Sequence, residues 1–323
     1  MPKDELEIFL KSTKQDIESV EIIINGILCQ MEKPVRSMLK ASLKGGKRLR
    51  PAVVILGSRL FKIPKRKVHL LAAAVEVLHS ATLIHDDLVD DAALRRGRKT
   101  IHMVWPAGAT VLAGDYLLAQ SVSLVSQLES PRVLKILADT LFTMSAGEIV
   151  YHYSQKDRKR REVYFDSIIA KTASFFSGAM EMVGVLGGAG KRALTNLKDF
   201  GHGFGIAYQI ADDILDITSN EKNLGKPVGS DLAQGIITLP VICYLERNKS
   251  VKEINIILSG KGTFRDIEKA IRMIRESGAI DDALDEASAH VRKSKAALSQ
   301  LPAGKSRRAL YDLLDYIIAR GQA

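Results

Sequence analysis

Cysteine and aromatic residues are scarce in this chain. The 323 residues include two cysteines, Cys29 and Cys243, one tryptophan, and only 6% aromatic residues in all. The cysteines lie far apart and match no metal-ligand spacing, which argues against a disulfide framework and favours a reducing compartment. With so few aromatic side chains, the core must be mainly aliphatic.

Signals for secretion or membrane insertion are also missing. No uncharged apolar run reaches the roughly 18 residues that a membrane span needs. The N-terminal segment, KDELEIFLKSTKQDIESVEIIING, has helical period and charge throughout, and it lacks the basic and then apolar regions of a signal peptide. We therefore expect a cytoplasmic protein without a transmembrane segment.

Helical periodicity dominates the rest of the sequence. Apolar residues recur at intervals of three and four, whereas alternating β-branched runs are rare. The breaks are Gly-rich or Lys/Arg-rich loops, and no low-complexity linker divides the chain. The pattern predicts an all-α protein in which residues 1–323 form one large helical bundle. An extended apolar cavity could run through it, although a dry, packed core is the default for a Leu/Ala-rich bundle.

Two acid clusters with the spacing Asp-Asp-x-x-Asp lie within apolar helical stretches. They comprise Asp86, Asp87 and Asp90 in the first and Asp212, Asp213 and Asp216 in the second. Residues four apart share one helix face, so the outer acids of each cluster should point the same way. Carboxylates in apolar surroundings are costly unless a cation neutralises them. Facing clusters would suit Mg²⁺ shared with substrate phosphates, which predicts an enzyme acting on a diphosphate.

A third copy of this spacing provides a control. Asp281, Asp282 and Asp285 lie in a polar stretch with Glu286 beside them and basic residues downstream. Such surroundings are typical of a solvated helix face. The spacing is therefore weak evidence alone, and the apolar flanks of the first two clusters carry the prediction.

Basic residues exceed acidic ones by 47 − 37 = 10, which suits an anionic partner such as nucleic acid, acidic lipid or a phosphorylated substrate. The segment GGKRLRP combines paired glycines with three basic residues, an arrangement suited to an anion. Further candidates are Arg95, Arg96, Lys171 with Thr172, and Lys226. The run KDRKRRE reads instead as a solvated loop, with contact to acidic lipid as the minority interpretation.

Together these motifs resemble the trans-isoprenyl diphosphate synthases over essentially the whole chain. The matching strings are GGKRLRP, HSATLIHDDLVDDAALRRG, GDYLL, GE, KTASFF, YQIADDILD, and GKPVGSDL leading to TLP. The resemblance implies an all-α homodimer with the isoprenoid synthase fold. It also implies head-to-tail addition of isopentenyl diphosphate to an allylic diphosphate, with transient membrane contact for product release.

The resemblance also assigns roles to residues. Both acid clusters would hold Mg²⁺, three ions per site with substrate bound, against the allylic diphosphate. Isopentenyl diphosphate would be held by Lys47, Arg50, His79 and Arg96. The allylic diphosphate would be held by Arg95, Lys171, Thr172, Gln209 and Lys226. Asp86, Asp87, Asp90, Arg95, Lys171 and Asp212 would carry the catalytic step. One departure is Ile236, which stands where the family often has Lys, so one phosphate contact is missing.

Small residues before the first acid cluster bear on product length. Ala74, Leu78 and Ala81 form a stripe on one predicted helix, and early-stopping family members usually carry an aromatic residue at the position of Ala81. This favours a long product, C40, made from farnesyl diphosphate for a quinone side chain. Equally, the two alanines could let a neighbouring helix approach closely.

Other functions stay open at this point. They include a short-chain (C15–C20) synthase, the large subunit of a heteromeric long-chain synthase, and a terpene cyclase or squalene-type synthase. Two full acid clusters and GGKRLRP argue against a cyclase, which needs no isopentenyl site. We do not expect nucleic-acid binding, because the basic residues cluster beside acids that would repel phosphate without Mg²⁺.

Overall fold

The computed structural model describes residues 3–95, 97–154, 159–219, 228–248 and 252–322, and for residues 3–11 the backbone only. The first six α-helices are α1 (Lys3–Gln30), α2 (Lys33–Leu43), α3 (Leu49–Ser58), α4 (Lys65–Val89), α5 (Ala107–Ser126) and α6 (Pro131–Tyr153). Next, α7 (Arg161–Ile168) continues through a π-helical turn (Ile169–Ala173) into α8 (Ser174–Leu186), and α9 (Lys191–Thr218) follows. The remaining helices are α10 (Ser230–Ala233), α11 (Leu239–Arg247), α12 (Lys252–Leu258), α13 (Phe264–Glu276), α14 (Ala279–Ser299) and α15 (Lys305–Gly321). The all-α prediction is confirmed.

Non-helical structure in the described residues is slight. After α4, Leu94–Arg95 (β1) pairs antiparallel with Arg98–Lys99 (β2), and a 3₁₀ turn spans Ile101–Met103. This small hairpin was not expected from the sequence. It places Arg95 beside the end of α4, where the first acid cluster lies.

Two long helices organise the core. Helix α4 packs mainly on α5, with α1 and α3 alongside, and α9 packs on α8 and α14. Both are apolar over most of their circumference, which buries them among other helices. Each carries an acid cluster at its C-terminal end. The buried middle of each helix therefore fixes the position of the carboxylates at that end.

The loop before α3 is anchored by a buried arginine. Arg48 has φ 49° and is only 8% exposed. Its guanidinium donates to Glu76 on α4 (Nη1–Oε1 2.5 Å), to Glu21 on α1, and to the carbonyl of Leu43 (2.7 Å). A buried arginine is tolerated only with such partners. Arg48 is therefore a structural residue of GGKRLRP, and α3 begins at the next residue, Leu49.

The expectation that no segment could span a membrane was too strict, because it required an uncharged run. By length and composition alone, three helical stretches of the described chain qualify: Lys65–Val89, Ala107–Ser126 and Arg161–Leu186. Within the protein, 72%, 39% and 67% of their most apolar windows are buried. Packing against other helices thus accounts for most of the apolar surface of the first and third, whereas α5 leaves more of its surface exposed.

Candidate active site

A cleft of about 500 Å³ opens where α4 ends, between α6, the π-helical turn and α9. Its wall carries groups of both charges and several aromatic rings. The described residues that line it are Arg50, His79, Thr82, Leu83, His85, Asp86, Val89, Arg95, Met144, Ser145, Glu148, Lys171, Thr172, Phe175, Tyr208, Gln209 and Asp212. Asp86 and Asp212, one from each acid cluster, therefore share one wall.

The first acid cluster spans the end of α4. Asp86 and Asp87 lie in the last helical turn, whereas Asp90 is the residue that follows the helix, its N–H donating to the Asp86 carbonyl (2.8 Å). Asp87 turns away from the cleft and accepts a hydrogen bond from Arg95 Nε (2.6 Å). Burial raises the pKa of all three carboxyls, although Lys171 and Arg95 act in the opposite direction.

The second acid cluster divides between the cleft and the protein interior. Asp212 lines the cleft and forms an ion pair with Arg320 on α15 (2.6 Å). Asp213 is buried and accepts hydrogen bonds from Tyr164 Oη (2.6 Å) and Gln209 Nε2 (2.9 Å). Burial raises the pKa of Asp213 well above its ordinary value.

Asp216, the last acid of the second cluster, is buried as well. It accepts from the Ser230 hydroxyl (2.9 Å) and from the backbone N–H of Asp231 (3.2 Å). Asp213 and Asp216 thus hold neighbouring elements together. Of the second cluster, the described lining of the cleft includes Asp212.

The π-helical turn brings Lys171 and Thr172 into the cleft. A π-turn inserts an extra residue into the helix and reorients the side chains around it. The turn packs closely on α6 and α9, because a Cβ at Gly147 would lie 2.1 Å from Ala170 Cβ and one at Gly205 2.6 Å from Ala173 Cα. This contact leaves Lys171 Nζ 3.2 Å from Asp86 Oδ1 and 3.2 Å from Glu148 Oε2.

Polar groups around the turn complete this side of the cleft. The hydroxyl of Thr172 donates to Gln209 Oε1 (2.9 Å), and the amide of Gln209 donates in turn to Asp213. Because Lys171 lies between carboxylates, their effect raises its pKa despite burial, and the ammonium form is favoured. Lys171 is thus held as a positive charge beside the first acid cluster.

The remaining basic residues assigned from the sequence differ in their positions relative to the cleft. Arg50 Nη1 lies 3.0 Å from His79 Nε2, and its guanidinium is 5.4 Å from the centres of the Phe175 and Phe176 rings. Lys47 is exposed and lies outside the described cleft lining. Arg96 and Lys226 lie outside the described residues, so their assigned roles stay predictions.

The stripe predicted to set product length is buried in α4. Ala74, Leu78 and Ala81 are 1–2% exposed, and the Ala74 carbonyl accepts from the Ser121 hydroxyl on α5 (2.9 Å). Among described residues, the cleft wall passes Thr82 and Leu83 instead. These three residues are thus closely packed below the cleft, and their role in product length stays a prediction.

Some residues of the site carried no strong sequence signal. Glu148 and His152 come from α6, Tyr164 from α7, and Arg320 from the end of α15. Each meets an acid cluster only through folding. Only Glu148 could have been found, since it lies in the GE string that contributed to the family resemblance.

The third copy of the acid spacing behaves as the control predicted. Asp281 and Asp285 on α14 are exposed. Asp282 pairs with Arg247 (Nε–Oδ2 2.5 Å), which holds the pKa of that carboxyl below its ordinary value. This cluster is a solvated helix face.

The donor set of the cleft fits a hard divalent cation. Asp86 and Asp212 present carboxylate oxygens, the ligands that such ions prefer, in partly buried positions. Burial of Asp86 and Asp90 raises the pKa of both carboxyls, and a bound cation would offset this cost of desolvation. Asp86, Asp90 and Asp212 would be the protein ligands of this ion.

Comparisons with known proteins identify the family of the chain. A family profile described as "Polyprenyl synthetase" matches residues 32–274. Heptaprenyl diphosphate synthase component 2 of Bacillus subtilis is 35% identical over 84% of this chain and 78% of its own length. Geranylgeranyl diphosphate synthase of Methanosarcina mazei is 34% identical over 85% of this chain and 86% of its own.

A solved structure extends the comparison to the whole fold. A crystal structure of polyprenyl synthase from Caulobacter crescentus, complexed with calcium and isoprenyl diphosphate, superposes with a TM-score of 0.91. It is 33% identical, and the alignment covers 97% of each chain. The relatives carry names for different product lengths, so they do not fix the length made here. The chain belongs to the polyprenyl synthetase family and is a prenyltransferase with the all-α isoprenoid synthase fold.

Proposed function

We propose that this protein is a Mg²⁺-dependent long-chain synthase. It condenses isopentenyl diphosphate head to tail with an allylic diphosphate, starting from farnesyl diphosphate, and yields an all-trans C40 product for a quinone side chain. The main support for this proposal is the cleft, whose wall combines Asp86 and Asp212 with Arg50, His79 and Lys171. Carboxylates that can hold divalent ions, set beside Arg and Lys side chains that can bind phosphate, suit a reaction on diphosphates.

Different residues of the cleft would bind the two substrates. Arg50 and His79, paired at 3.0 Å, would bind isopentenyl diphosphate. Lys171, Thr172 and Gln209, with Arg95, would bind the allylic diphosphate and stabilise the charge that grows on it as its C–O bond breaks. When bound, Mg²⁺, three ions per site, supplies further positive charge to the departing diphosphate.

The walls of the cleft would protect the carbocation formed by that cleavage. Phe175, Leu83 and Met144 present apolar surface, and Tyr208 adds an aromatic ring, so water is displaced from the reacting carbons. The isopentenyl double bond then attacks the cation. A proton is lost from the condensed product to the departing diphosphate, and the new allylic diphosphate can enter the next cycle.

The C40 length depends on small residues below the cleft. Ala74 and Ala81 present only methyl groups on α4, where an aromatic ring would stand in the way of a growing tail, and we propose that the tail passes them. The short-chain alternative, C15–C20, keeps the same reaction and ends the product nearer the acids. Ile236, in place of a lysine, would weaken primer binding, and we expect Ile236→Lys to lower the KM for the allylic primer.

Assembly is part of the proposal. An exposed apolar face runs along α5 and α6 and comprises Val111, Leu112, Val122, Leu134, Phe142, Ile149, Val150 and Tyr153. We assign this face to a homodimer contact. The alternative is a heteromeric enzyme, which the name "component 2" of the Bacillus subtilis relative favours. Light scattering of the purified chain, alone and as Phe142→Glu, tests the dimer.

The setting of the enzyme completes the proposal. We propose that residues 1–323 form a single catalytic domain, that the protein works in the cytoplasm, and that it touches a membrane transiently to release product. Nucleic acid has no role in this scheme, and a filter-binding assay with radiolabelled DNA and RNA tests that point.

The decisive experiment is condensation by the purified protein. Mg²⁺, farnesyl diphosphate and labelled isopentenyl diphosphate are incubated with it, and products are separated by reversed-phase thin-layer chromatography. A ladder that ends near C40 supports the whole proposal, whereas an end at C15–C20 supports the alternative length. Asp86→Asn should abolish elongation, and Asp285→Asn, from the solvated third cluster, should not. No elongation by the wild type, alone or with candidate partner chains, would contradict the proposal.

A further inference from the structure

A group of potential metal ligands lies at the rim of the cleft. One carboxylate oxygen each from Asp90 and Glu148 and one ring nitrogen of His152 all lie within 4.8 Å of one another. Ligands bound to one ion at about 2.0–2.2 Å lie roughly 3–3.5 Å apart, so small side-chain rotations would bring these atoms into coordination. The residues come from two elements, the end of α4 and the last turns of α6.

Helix α6 presents two of these ligands on one face. Glu148 and His152 are four residues apart, a spacing at which two side chains can bind the same ion. Glu148 Oε1 lies 3.5 Å from His152 Nε2, while its other oxygen lies 3.2 Å from Lys171 Nζ. Glu148 therefore connects the imidazole to the first acid cluster.

The imidazole nitrogen is the second observation that points to a ligand. The His152 side chain as a whole is 39% exposed, but its Nε2 atom is shielded from solvent and forms no hydrogen bond with a described residue, Glu148 Oε1 lying 3.5 Å away. A buried polar atom without a partner is costly, and it commonly marks a position where an ion or a water binds. Its surroundings favour a cation, because the carboxylates of Asp86, Asp90 and Glu148 outnumber the ammonium of Lys171.

The chemistry of the donor set selects a class of ion. Mg²⁺ prefers oxygen ligands alone, and a neutral imidazole contributes little to its binding. Imidazole with carboxylates suits Mn²⁺, Co²⁺, Zn²⁺ and other first-row divalent ions, whose affinities for nitrogen ligands are higher. We propose that Asp90, Glu148 and His152 bind one such transition-metal ion at the rim of the cleft, without any diphosphate present. This deepens the proposed function, since Asp90 belongs to its first acid cluster.

The experiment titrates the full-length protein with Mn²⁺ in the absence of substrate. Electron paramagnetic resonance follows the signal of free aqueous Mn²⁺, which disappears on binding. We expect one binding event that survives a large excess of Mg²⁺ and weakens at least tenfold in His152→Gln. The matched control is His202→Gln, a partly buried histidine on α9, which should bind Mn²⁺ as the wild type does.

A second measurement does not depend on the folding of a variant. Pulsed electron paramagnetic resonance of Mn²⁺ bound to the wild type detects coupling to ¹⁴N when an imidazole is a ligand. Absence of that coupling, or equal affinity of His152→Gln and wild type, would overturn the proposal. The condensation assay with Mg²⁺ as the sole metal reports on the proposed function separately, so either idea can fail alone.

Discussion

Arg320, near the end of α15, forms an ion pair with Asp212 of the second acid cluster, with Nη1 and Oδ1 2.6 Å apart. The two side chains are 24% and 33% exposed, and the guanidinium also lies 5.6 Å from the centre of the Tyr208 ring. The C-terminal helix thereby neutralises the one acid of this cluster that lines the cleft in the described structure.

We expect Arg320→Gln to destabilise the protein. Loss of the guanidinium leaves the partly buried Asp212 carboxylate poorly compensated, which should lower the free energy of unfolding by about 1–2 kcal/mol. Urea denaturation without divalent cations measures this change. The matched control is Arg308→Gln on the same helix, whose pair with Asp312 is exposed and should contribute less than about 0.5 kcal/mol. Equal losses of unfolding free energy in the two variants would refute the prediction that the pair with Asp212 contributes more than the pair with Asp312.

How far the sequence could predict this site depends on the range of the contacts involved. The apolar stretches around both acid clusters predict the helices that carry them, because period and flanking residues are local signals. Asp90 lies one residue beyond the end of α4, but its carboxylate interacts with Lys171 and Glu148, as that of Asp86 does. Helix ends depend on capping and on the following loop, so a spacing rule cannot locate them to one residue.

The inward orientation of Asp213 and Asp216 has no local signal. Asp213 bonds to Tyr164, which lies 49 residues away, and Asp216 bonds to Ser230, 14 residues away. Such partners meet only when helices pack, and although Ser230 lies in the GKPVGSDL string, the sequence position of neither residue indicates its partner. The same holds for His152, which is one histidine among seven until folding places it beside Asp90.

Tyr164→Phe should reveal the support that Asp213 receives. The tyrosine hydroxyl is buried and donates to Asp213, and removal of one partner of a buried hydrogen bond costs about 1–3 kcal/mol. We expect the free energy of unfolding to fall by about that amount. The control is Tyr311→Phe, whose hydroxyl donates to the neutral carbonyl of Lys295 (3.0 Å) and should contribute about 1 kcal/mol or less. If both variants lose the same free energy of unfolding, the hydrogen bond to Asp213 contributes no more than the bond to the Lys295 carbonyl, and the prediction is rejected.

His290 on α14 should make stability sensitive to mild acid. Burial and the nearby Lys293 and His202 charges lower its pKa below the ordinary 6.5, while Glu286, 3.7 Å away, opposes them. The unfolded chain therefore binds a proton more readily than the folded protein. Its contribution to stability is complete above the unfolded pKa and is lost as pH falls below about 6.5.

The pH dependence can be isolated by substitution. Between pH 7 and pH 5, His290→Gln should lose less unfolding free energy than the wild type, because the proton uptake of this imidazole is removed. Lys293→Gln should have a smaller effect in the same direction, since it removes only a repulsive charge. Urea denaturation at both pH values measures the differences. A His290→Gln protein that is as acid-sensitive as the wild type would exclude this imidazole as the cause.

Ala81→Phe tests whether the growing product passes the buried stripe on α4. Ala81 is 2% exposed and lies just below the cleft wall formed by Thr82 and Leu83, so a phenyl ring there would block any path for the tail. We expect the product to shorten from C40 to C15–C20, measured by thin-layer chromatography under the conditions of the wild-type assay.

Overpacking is the competing explanation for such a shortening, because an added ring in a dense core distorts its neighbours. Ala72 provides the control: it is fully buried on the same helix, and it lies nine residues away, about two and a half turns, on the opposite face. Ala72→Phe should suffer the same crowding without shortening the product. A shortened product in both variants would attribute the effect to distortion, and an unchanged product in Ala81→Phe would mean that the tail follows another route, with Thr82 and Leu83 as the next positions to substitute.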